Sequence, residues 1–120
     1  GSSEIYNSFI SKIEENEKLI FVVPEYNGSF PGVLKAFIDG FRYPETLKGK
    51  KAAMIGLSAG NMGSALALSH LVDILNYAGT HVLANRPRLS FIGKHFDGKE
   101  FSNALYRELL EIQASEFLEF

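Results

Sequence analysis

A polar loop after the first buried strand carries side chains suited to holding a planar ring. It reads Pro24-Glu25-Tyr26-Asn27-Gly28-Ser29-Phe30, follows the apolar run 19–23, and leads into a helical pattern. Tyr26 offers ring area with a polar tip, and Asn27 offers both a donor and an acceptor. Gly28 lets the backbone approach a ligand closely. These residues predict a ring-binding loop, although a structural Asn-Gly turn before a helix remains an alternative interpretation.

A second loop follows the next buried strand and reads Ser58-Ala59-Gly60-Asn61-Met62-Gly63. Its glycines allow close backbone approach, and it opens a helix whose first N–H groups favour electron-rich oxygens. Because the carboxyl ends of parallel strands meet at one edge of a sheet, the two loops are expected to share one ligand. A tight turn that requires small residues would explain the second loop equally well.

The same stretch offers a hydrolytic alternative. Residues 56–60 match G-x-S-x-G, the nucleophile elbow of α/β hydrolases, with Ser58 as the nucleophile. Asp73 and then His81 or His95 follow in the required chain order. However, Asp73 falls inside a predicted helix, and little chain remains for the later strands of that fold. The histidines, including His70, match no metal-binding spacing, so they are interpreted as surface or packing residues and no metal site is predicted.

The elements that position these loops alternate between helix and strand. Apolar spacing predicts a first helix over residues 4–16 with Ser2 or Ser3 as its cap, built on Ile5, Phe9 and Ile13. The remaining predicted elements are strand 19–23, a helix from Pro31 to about 43, strand 52–57, a helix from 63 to a stop at Gly79, strand 80–84 continued by 89–92 beyond Arg86-Pro87-Arg88, and a final helix carrying Phe101, Leu105, Leu109 and Ile112. The pattern predicts an α/β fold of three layers, α/β/α, around a parallel sheet.

That sheet looks incomplete. The run 19–23 has the apolar character of a central strand, yet in a three-stranded sheet it becomes an edge with unpaired backbone. A second copy of the chain is therefore expected to cover this edge, giving a homodimer or higher oligomer.

The sequences of the two loops resemble those of the NADPH-dependent FMN reductases, a flavodoxin-like family that includes azoreductases and quinone reductases. Residues 24–35 are similar to that family's second flavin-contacting loop, and residues 58–63 are similar to its S-x-G-x-x-G-G stretch, with Ser64 in place of the usual last glycine. The resemblance implies strands 3-4-5 of a five-stranded sheet ordered 2-1-3-4-5. It also implies that the chain, a single domain over residues 1–120, lacks the N-terminal third with the phosphate-binding loop, as a truncated or a naturally reduced member.

The resemblance further implies FMN as cofactor and NADPH as co-substrate, with hydride passing through the flavin to a small-molecule acceptor such as a quinone, dye or free flavin. No catalytic side chain is then required. The implied cofactor-binding residues are Pro24, Glu25, Tyr26, Asn27, Gly28, Ser58, Ala59, Gly60, Asn61 and Gly63. Without the phosphate loop, each missing charge-assisted hydrogen bond costs about 1.5–3 kcal/mol, so FMN is expected to bind weakly or not at all. A non-catalytic dimeric assembly module of the same fold is the alternative.

The amino-acid composition excludes several kinds of chemistry and of binding partner. The chain of 120 residues contains no cysteine, which excludes disulfide, thiolate-metal and dithiol chemistry within it. A formal net charge of −2 gives no general attraction for nucleic acid or an anionic membrane, and no apolar run approaches a membrane span. A cytoplasmic protein without nucleic-acid or membrane partners is the resulting expectation.

Overall fold

The computed structural model describes residues 3–120, and Ser2, one of the two predicted helix caps, lies outside them. The predicted alternation of helix and strand is present, with one unpredicted four-residue helix between the interrupted third strand and the final helix. The elements are α1 Glu4–Glu15, β1 Lys18–Pro24, α2 Gly32–Asp39, β2 Lys51–Leu57, α3 Ala65–Tyr77, β3 His81–Val82, β4 Arg88–Leu89, α4 Ile92–His95 and α5 Ala104–Glu119.

All strand pairs in the described sheet are parallel, which confirms the predicted fold class. β1 pairs with β2 along its whole length, from Lys18 opposite Lys51 to Pro24 opposite Leu57. β3 and β4 both pair with the other side of β2. The short third strand is therefore interrupted, as the Arg86-Pro87-Arg88 sequence predicts. The predicted continuation over 89–92 was wrong beyond Leu89, because helix α4 already begins at Ile92.

The interruption between β3 and β4 is a bulge. Ala52 pairs with Val82 and Gly56 pairs with Arg88, so four steps along β2 face six steps on the partner. The two extra residues loop out and leave the Met54 carbonyl without a strand partner there. The side-chain amide of Gln113, from α5, donates to that carbonyl at 2.9 Å and to the Asn85 carbonyl at 3.3 Å. The buried side chain of Gln113 therefore replaces the backbone hydrogen bond that the bulge removes from the sheet.

The main core lies between one face of the sheet and helices α2 and α3. The predicted apolar face of α3 is confirmed, because Leu68, Leu71 and Leu75 are buried against Val23 and Met54 of the two long strands. Helix α3 also ends where predicted: Gly79 has φ +89°, and its N–H donates to the Asn76 carbonyl. This rigid packing fixes the start of α3, which is where the second loop ends.

Helix α5 covers the second face of the sheet, but not with the predicted side. Leu105 and Ile112 are largely exposed, whereas Gln113 and Phe117 are buried. Phe117 packs with Phe120 against Ala53 and Leu83. The hydrogen bond that Gln113 makes to β2 outweighs the apolar periodicity in choosing the buried side.

Lysines from the two long strands hold the carboxyl end of α5. Lys18 Nζ donates to the Phe117 carbonyl at 2.5 Å and Lys51 Nζ donates to the Phe120 carbonyl at 2.8 Å. Cations suit this end of a helix because its last carbonyls lack helical partners and carry negative partial charge. Helix α5 therefore runs antiparallel to the strands, and its amino end lies toward their carboxyl edge.

Helix α1 packs beside α2. Ser3 is its cap, with the Ser3 hydroxyl accepting from the Tyr6 N–H. The predicted apolar side, which also includes the neighbouring Ile10, is buried only in part: Ile10 is buried while Ile5 and Phe9 are exposed. At the end of α1, the Glu14 carboxylate accepts hydrogen bonds from the Arg42 guanidinium and the Thr46 hydroxyl. The hydrogen bond from Arg42 is the main cause that lowers the pKa of Glu14.

Strand β1 is an edge of the described sheet and is apolar on both faces. Ile20 is 61% exposed and Val22 is 57% exposed, both on the face that α5 covers only further along the sheet. Their neighbours Leu19, Phe21 and Val23 pack into the main core. The expected exposed edge is thus present.

No helix within residues 3–120 is both long enough and apolar enough to cross a membrane.

Candidate ring-binding site

Two loops leave the sheet side by side at its carboxyl edge. We call residues 24–30 loop 1 and residues 58–63 loop 2. They follow β1 and β2, whose last residues, Pro24 and Leu57, are paired. The Glu25 N–H donates to the Leu57 carbonyl at 3.0 Å, which extends the pairing into the loops. The predicted meeting of the two loops at one edge is therefore what the sheet produces.

Loop 1 is a tight turn closed by its own backbone. Tyr26 and Ser29 exchange two hydrogen bonds, of 2.8 Å and 3.2 Å. Asn27 and Gly28 between them have φ +52° and +84°, the positive values at both central positions that a type I′ turn requires. Tyr26 is 60% exposed, and a Cβ on Gly28 would meet no atom within 4 Å. The turn holds an aromatic ring and open backbone at the surface.

A side-chain contact fixes loop 1 to helix α3. Ser29 Oγ lies 2.8 Å from His70 Nδ1. The sequence predicts only a surface or packing role for His70, and no spacing signal links residues 41 positions apart in this way. The contact explains why loop 1 keeps a defined position relative to the start of α3.

Ser58 organises loop 2 from the inside. Its hydroxyl donates to the Gly60 carbonyl at 2.7 Å and accepts from the Gly63 N–H at 2.8 Å. The residue is buried, and among the described residues no histidine hydrogen-bonds to it. The arrangement gives the serine-hydrolase alternative no support, because the hydroxyl is engaged with backbone and has no base.

Residues 90–92, which follow β4, hold loop 2 from its other side, and we call them the clamp. The Phe91 N–H donates to the Gly60 carbonyl at 2.9 Å, and the Ser90 hydroxyl donates to the Asn61 carbonyl at 2.9 Å. The Ile92 N–H donates to the Ser58 carbonyl at 3.0 Å. Ser90 and Phe91 were not among the predicted site residues, since they lie in a stretch whose apolar pattern predicts only a strand.

The clamp forms hydrogen bonds with backbone carbonyls of loop 2 and leaves backbone N–H donors of the same loop unpaired. Within residues 3–120, the backbone N–H groups of Ala59, Gly60 and Asn61 have no protein acceptor. A Cβ on Gly60 would meet no atom within 4 Å. Exposed Tyr26, Met62 and Phe91 lie on the two loops and the clamp. Directed donors beside open backbone and apolar side chains fit the polar edge and flat faces of an isoalloxazine ring.

The backbone conformation of Ser64 explains why the S-x-G-x-x-G-G stretch that this loop resembles has glycine at the same position. It has φ +66°, a left-handed conformation that disfavours side chains other than glycine. Its hydroxyl is buried and has no hydrogen-bond partner in the described structure. Just before it, a Cβ on Gly63 would lie 2.8 Å from the Cβ of Arg88, so loop 2 packs closely on β4.

The predicted site residues all lie at this edge but differ in exposure. Tyr26, Asn27, Ala59, Gly60 and Asn61 are exposed; Pro24, Glu25 and Gly28 are half-buried; Ser58 and Gly63 are buried. The exposed and half-buried residues can therefore contact a ligand directly. Ser58 and Gly63 hold the loop in shape from below.

Two other observations bound the site. An apolar cavity of about 450 Å³ lies at the opposite, amino edge of the sheet, between Tyr43, Leu47 and Tyr77. None of its lining residues belongs to loop 1 or loop 2, so it is not part of this site. Across the described chain, no group of three or more histidine or acidic side chains could hold a metal ion.

Comparison with known proteins gives a consistent group of matches. The family model described as NADPH-dependent FMN reductase matches residues 1–90. A 2-hydroxy-1,4-benzoquinone reductase of Burkholderia sp is 39% identical over 89 residues, covering 72% of this chain and 48% of that protein. An NAD(P)H-dependent FMN reductase of Pseudomonas aeruginosa is 41% identical over 83 residues, covering 68% of this chain and 44% of that protein. The chain thus spans about half the length of these curated relatives.

Solved structures agree on the fold. FerB, a flavoenzyme NAD(P)H:(acceptor) oxidoreductase from Paracoccus denitrificans, superposes with a TM-score of 0.86 at 27% identity, over 98% of this chain and 68% of that chain. The apo form of the NADH:FMN oxidoreductase EMOB superposes with a TM-score of 0.71 at 20% identity, over 99% of this chain and 62% of that chain. Nearly the whole chain therefore corresponds to about two-thirds of these larger flavodoxin-like proteins.

Proposed function

Because this chain belongs to the NADPH-dependent FMN reductase family, we propose that loops 1 and 2 form the isoalloxazine-binding part of an NAD(P)H-dependent FMN reductase site. The observation that carries this proposal is the parallel pairing of β1 with β2 through Pro24 and Leu57, which brings both loops to one edge. The proposed acceptor is a small molecule such as a quinone, dye or free flavin, since relatives carry quinone reductase and FMN reductase names.

In the proposed mechanism, the protein positions the flavin ring and stabilises negative charge on it. A bound FMN would supply the redox chemistry, accepting hydride from NAD(P)H and passing electrons to the acceptor. The free N–H groups of Ala59, Gly60 and Asn61 would donate to the polar edge of the ring and stabilise negative charge there. Tyr26 would cover the ring beside the Asn27 side chain. No side chain in loops 1 and 2 is required as a nucleophile or general acid.

Neither loop contains a cationic side chain, and the free N–H groups of Ala59, Gly60 and Asn61 are the ones proposed to face the ring. We therefore expect loops 1 and 2 to hold the ring of FMN without binding its phosphate. Titration of the chain with FMN and with riboflavin, read by flavin fluorescence, should give dissociation constants that agree within about 3-fold and lie at roughly 10 µM or weaker. FMN bound about 100-fold more tightly than riboflavin would contradict this expectation.

Gly60→Ala tests the same site with one methyl group. Nothing in the protein lies within 4 Å of the added Cβ, so folding should be unchanged, but the methyl would stand where the ring approaches loop 2. Flavin binding should weaken about 10-fold. Gly93→Ala, whose Cβ also meets nothing within 4 Å, is the matched control outside both loops. Saturable flavin binding that survives Gly60→Ala unchanged would move the ring elsewhere, and no flavin binding by the unsubstituted chain would favour a non-catalytic assembly module.

We also propose that a second copy of the chain covers the β1 edge. The strand is seven residues long, apolar on both faces, and exposes Ile20 and Val22 beside its unpaired backbone. Two copies related by a twofold axis would pair these edges antiparallel, so each supplies the other with a strand of equal length and the same apolar pattern.

Sedimentation velocity of the Val22→Lys variant tests this dimer. The unsubstituted chain should sediment as a dimer, and Val22→Lys should sediment as a monomer with an unchanged circular dichroism spectrum, because a lysine cannot be buried between the paired sheets. Val33→Lys is the control, since Val33 is exposed on helix α2 and does not belong to β1. A monomer at high concentration of the unsubstituted chain would refute the proposal.

A further inference from the structure

A polar cavity beside the β3–β4 bulge is separate from the ring-binding loops. Its volume is about 340 Å³, and it is lined by Ala65, Leu68, Ser69, Ala84, Asn85, Arg86 and Arg88. The lining therefore combines two guanidinium groups with a hydroxyl and an amide, and it contains no acidic residue. Such a set of donors, in a chain whose net charge is −2, is a local feature and not part of a generally basic surface.

The Arg-Pro-Arg sequence explains why both arginines line one cavity. Side chains in extended backbone alternate between faces, so positions 86 and 88 point together while Pro87 points away. Arg88 lies opposite Gly56 in β4, on the face of the sheet that α3 covers. Arg86, which lies in the bulge, and Ser69 of α3 both line the cavity. Bulges of this kind commonly redirect side chains toward a binding site.

The two arginines have no protein counter-charge in the described structure. The ion pairs within residues 3–120 involve Lys35, Arg42 and Lys51, and neither Arg86 nor Arg88 takes part. Neither guanidinium hydrogen-bonds to another described residue. Two adjacent unpaired cations repel each other, so an anion between them would gain two charge-assisted contacts and relieve that repulsion.

The backbone around the cavity is already fixed. The Pro87 carbonyl accepts from the Gly56 N–H at 2.8 Å, and Arg88 packs against Gly63 of loop 2. Asn85 is held through its carbonyl by Gln113 and through its side chain by Glu116, which lies outside the lining residues. Binding at this position would require ordering of only the two arginine side chains, and this lowers its entropic cost.

We propose that this cavity binds a phosphate group, held by the guanidinium groups of Arg86 and Arg88 with the Ser69 hydroxyl as a further donor. Paired planar donors match the oxygens of a phosphate monoester, which an arginine recognises by geometry as well as charge. The group is either free phosphate or the phosphate of a nucleotide. The site does not depend on the ring-binding function of loops 1 and 2, and its test uses no flavin.

Titration of the flavin-free chain with inorganic phosphate, at constant ionic strength set with chloride, tests the site by amide NMR. We expect saturable shifts of the Ser69, Asn85 and Arg88 backbone amides. The double variant Arg86→Gln, Arg88→Gln should weaken phosphate binding by about 100-fold, because removing each guanidinium should weaken it by about 10-fold. Arg107→Gln, which removes an exposed arginine from α5 outside the cavity, should bind as the unsubstituted chain does.

Two results would overturn the site. The first is a shift that fails to saturate or that spreads over the surface, which the unsubstituted chain alone reveals even if the double variant folds poorly. The second is equal phosphate binding by the double variant. Titration with 2′-AMP and 5′-AMP then separates the sources: 2′-AMP bound 10-fold more tightly than 5′-AMP and inorganic phosphate assigns the cavity to a nucleotide 2′-phosphate, whereas equal affinities assign it to phosphate alone.

Discussion

Gly56→Ala is expected to lower the free energy of unfolding by about 3 kcal/mol, or roughly 10–20 °C in Tm. Gly56 is buried in β2 directly beneath loop 2. A Cβ there would lie 2.3 Å from the Gly63 carbonyl oxygen, 3.0 Å from the Ser64 Cβ and 3.1 Å from a Leu68 methyl carbon. The nearest atom belongs to backbone, so no change of side-chain rotamer relieves the contact. Loop 2 must move away from the sheet or β2 must shift.

Movement of loop 2 has a second, measurable effect. The Gly63 N–H is the donor to Ser58 Oγ, so displacing Gly63 also disturbs the hydrogen bond that shapes the loop. Urea and thermal unfolding followed by circular dichroism measure the loss of stability. Gly60→Ala is the matched control, because its added methyl meets no atom within 4 Å and stability should change by less than about 1 kcal/mol. Equal stability of the two variants would contradict the close packing described for Gly56.

Gln113→Ala is expected to cost about 2–3 kcal/mol of unfolding free energy. Gln113 is 4% exposed, and its amide nitrogen is the donor that the Met54 carbonyl receives at the bulge. Removing it leaves a buried carbonyl unsatisfied, which costs about 1–3 kcal/mol, and adds a cavity between α5 and the sheet. Chemical denaturation gives the change in free energy directly.

The neighbouring residue provides a control that separates two views of helix α5. Ile112 is 43% exposed, so Ile112→Ala should cost under about 1 kcal/mol. The apolar pattern of the sequence predicts the reverse order, with Ile112 buried and Gln113 in solvent. A larger loss of stability for Ile112→Ala than for Gln113→Ala would therefore show that α5 buries its apolar side after all.

Elements whose secondary structure follows from a local pattern could be predicted from the sequence. The apolar runs of β1 and β2, the face of α3 and the stop at Gly79 each satisfy a strong periodic or conformational rule, and the structure agrees. The meeting of loops 1 and 2 follows from parallel pairing. The family could also be recognised, because the wording of residues 24–35 and 58–63 is specific.

What the sequence did not reveal depends on contacts between distant elements. The buried side of α5 is chosen by Gln113 reaching a carbonyl that only the bulge leaves free. The clamp by Ser90 and Phe91 and the contact between Ser29 and His70 join residues with no local signal. Phe117 and Phe120 resemble an exposed apolar tail in sequence, yet the ammonium groups of Lys18 and Lys51 lie over their rings.

The self-closed turn of loop 1 has a kinetic consequence. Tyr26 and Ser29 bond to each other, and His70 holds Ser29, so the shape of the turn exists before any ligand arrives. The flavin binding that we propose for this loop would need no rearrangement of the turn, so its observed rate should rise in proportion to flavin concentration without a plateau. Differences among ligands would then reside in how long each one stays.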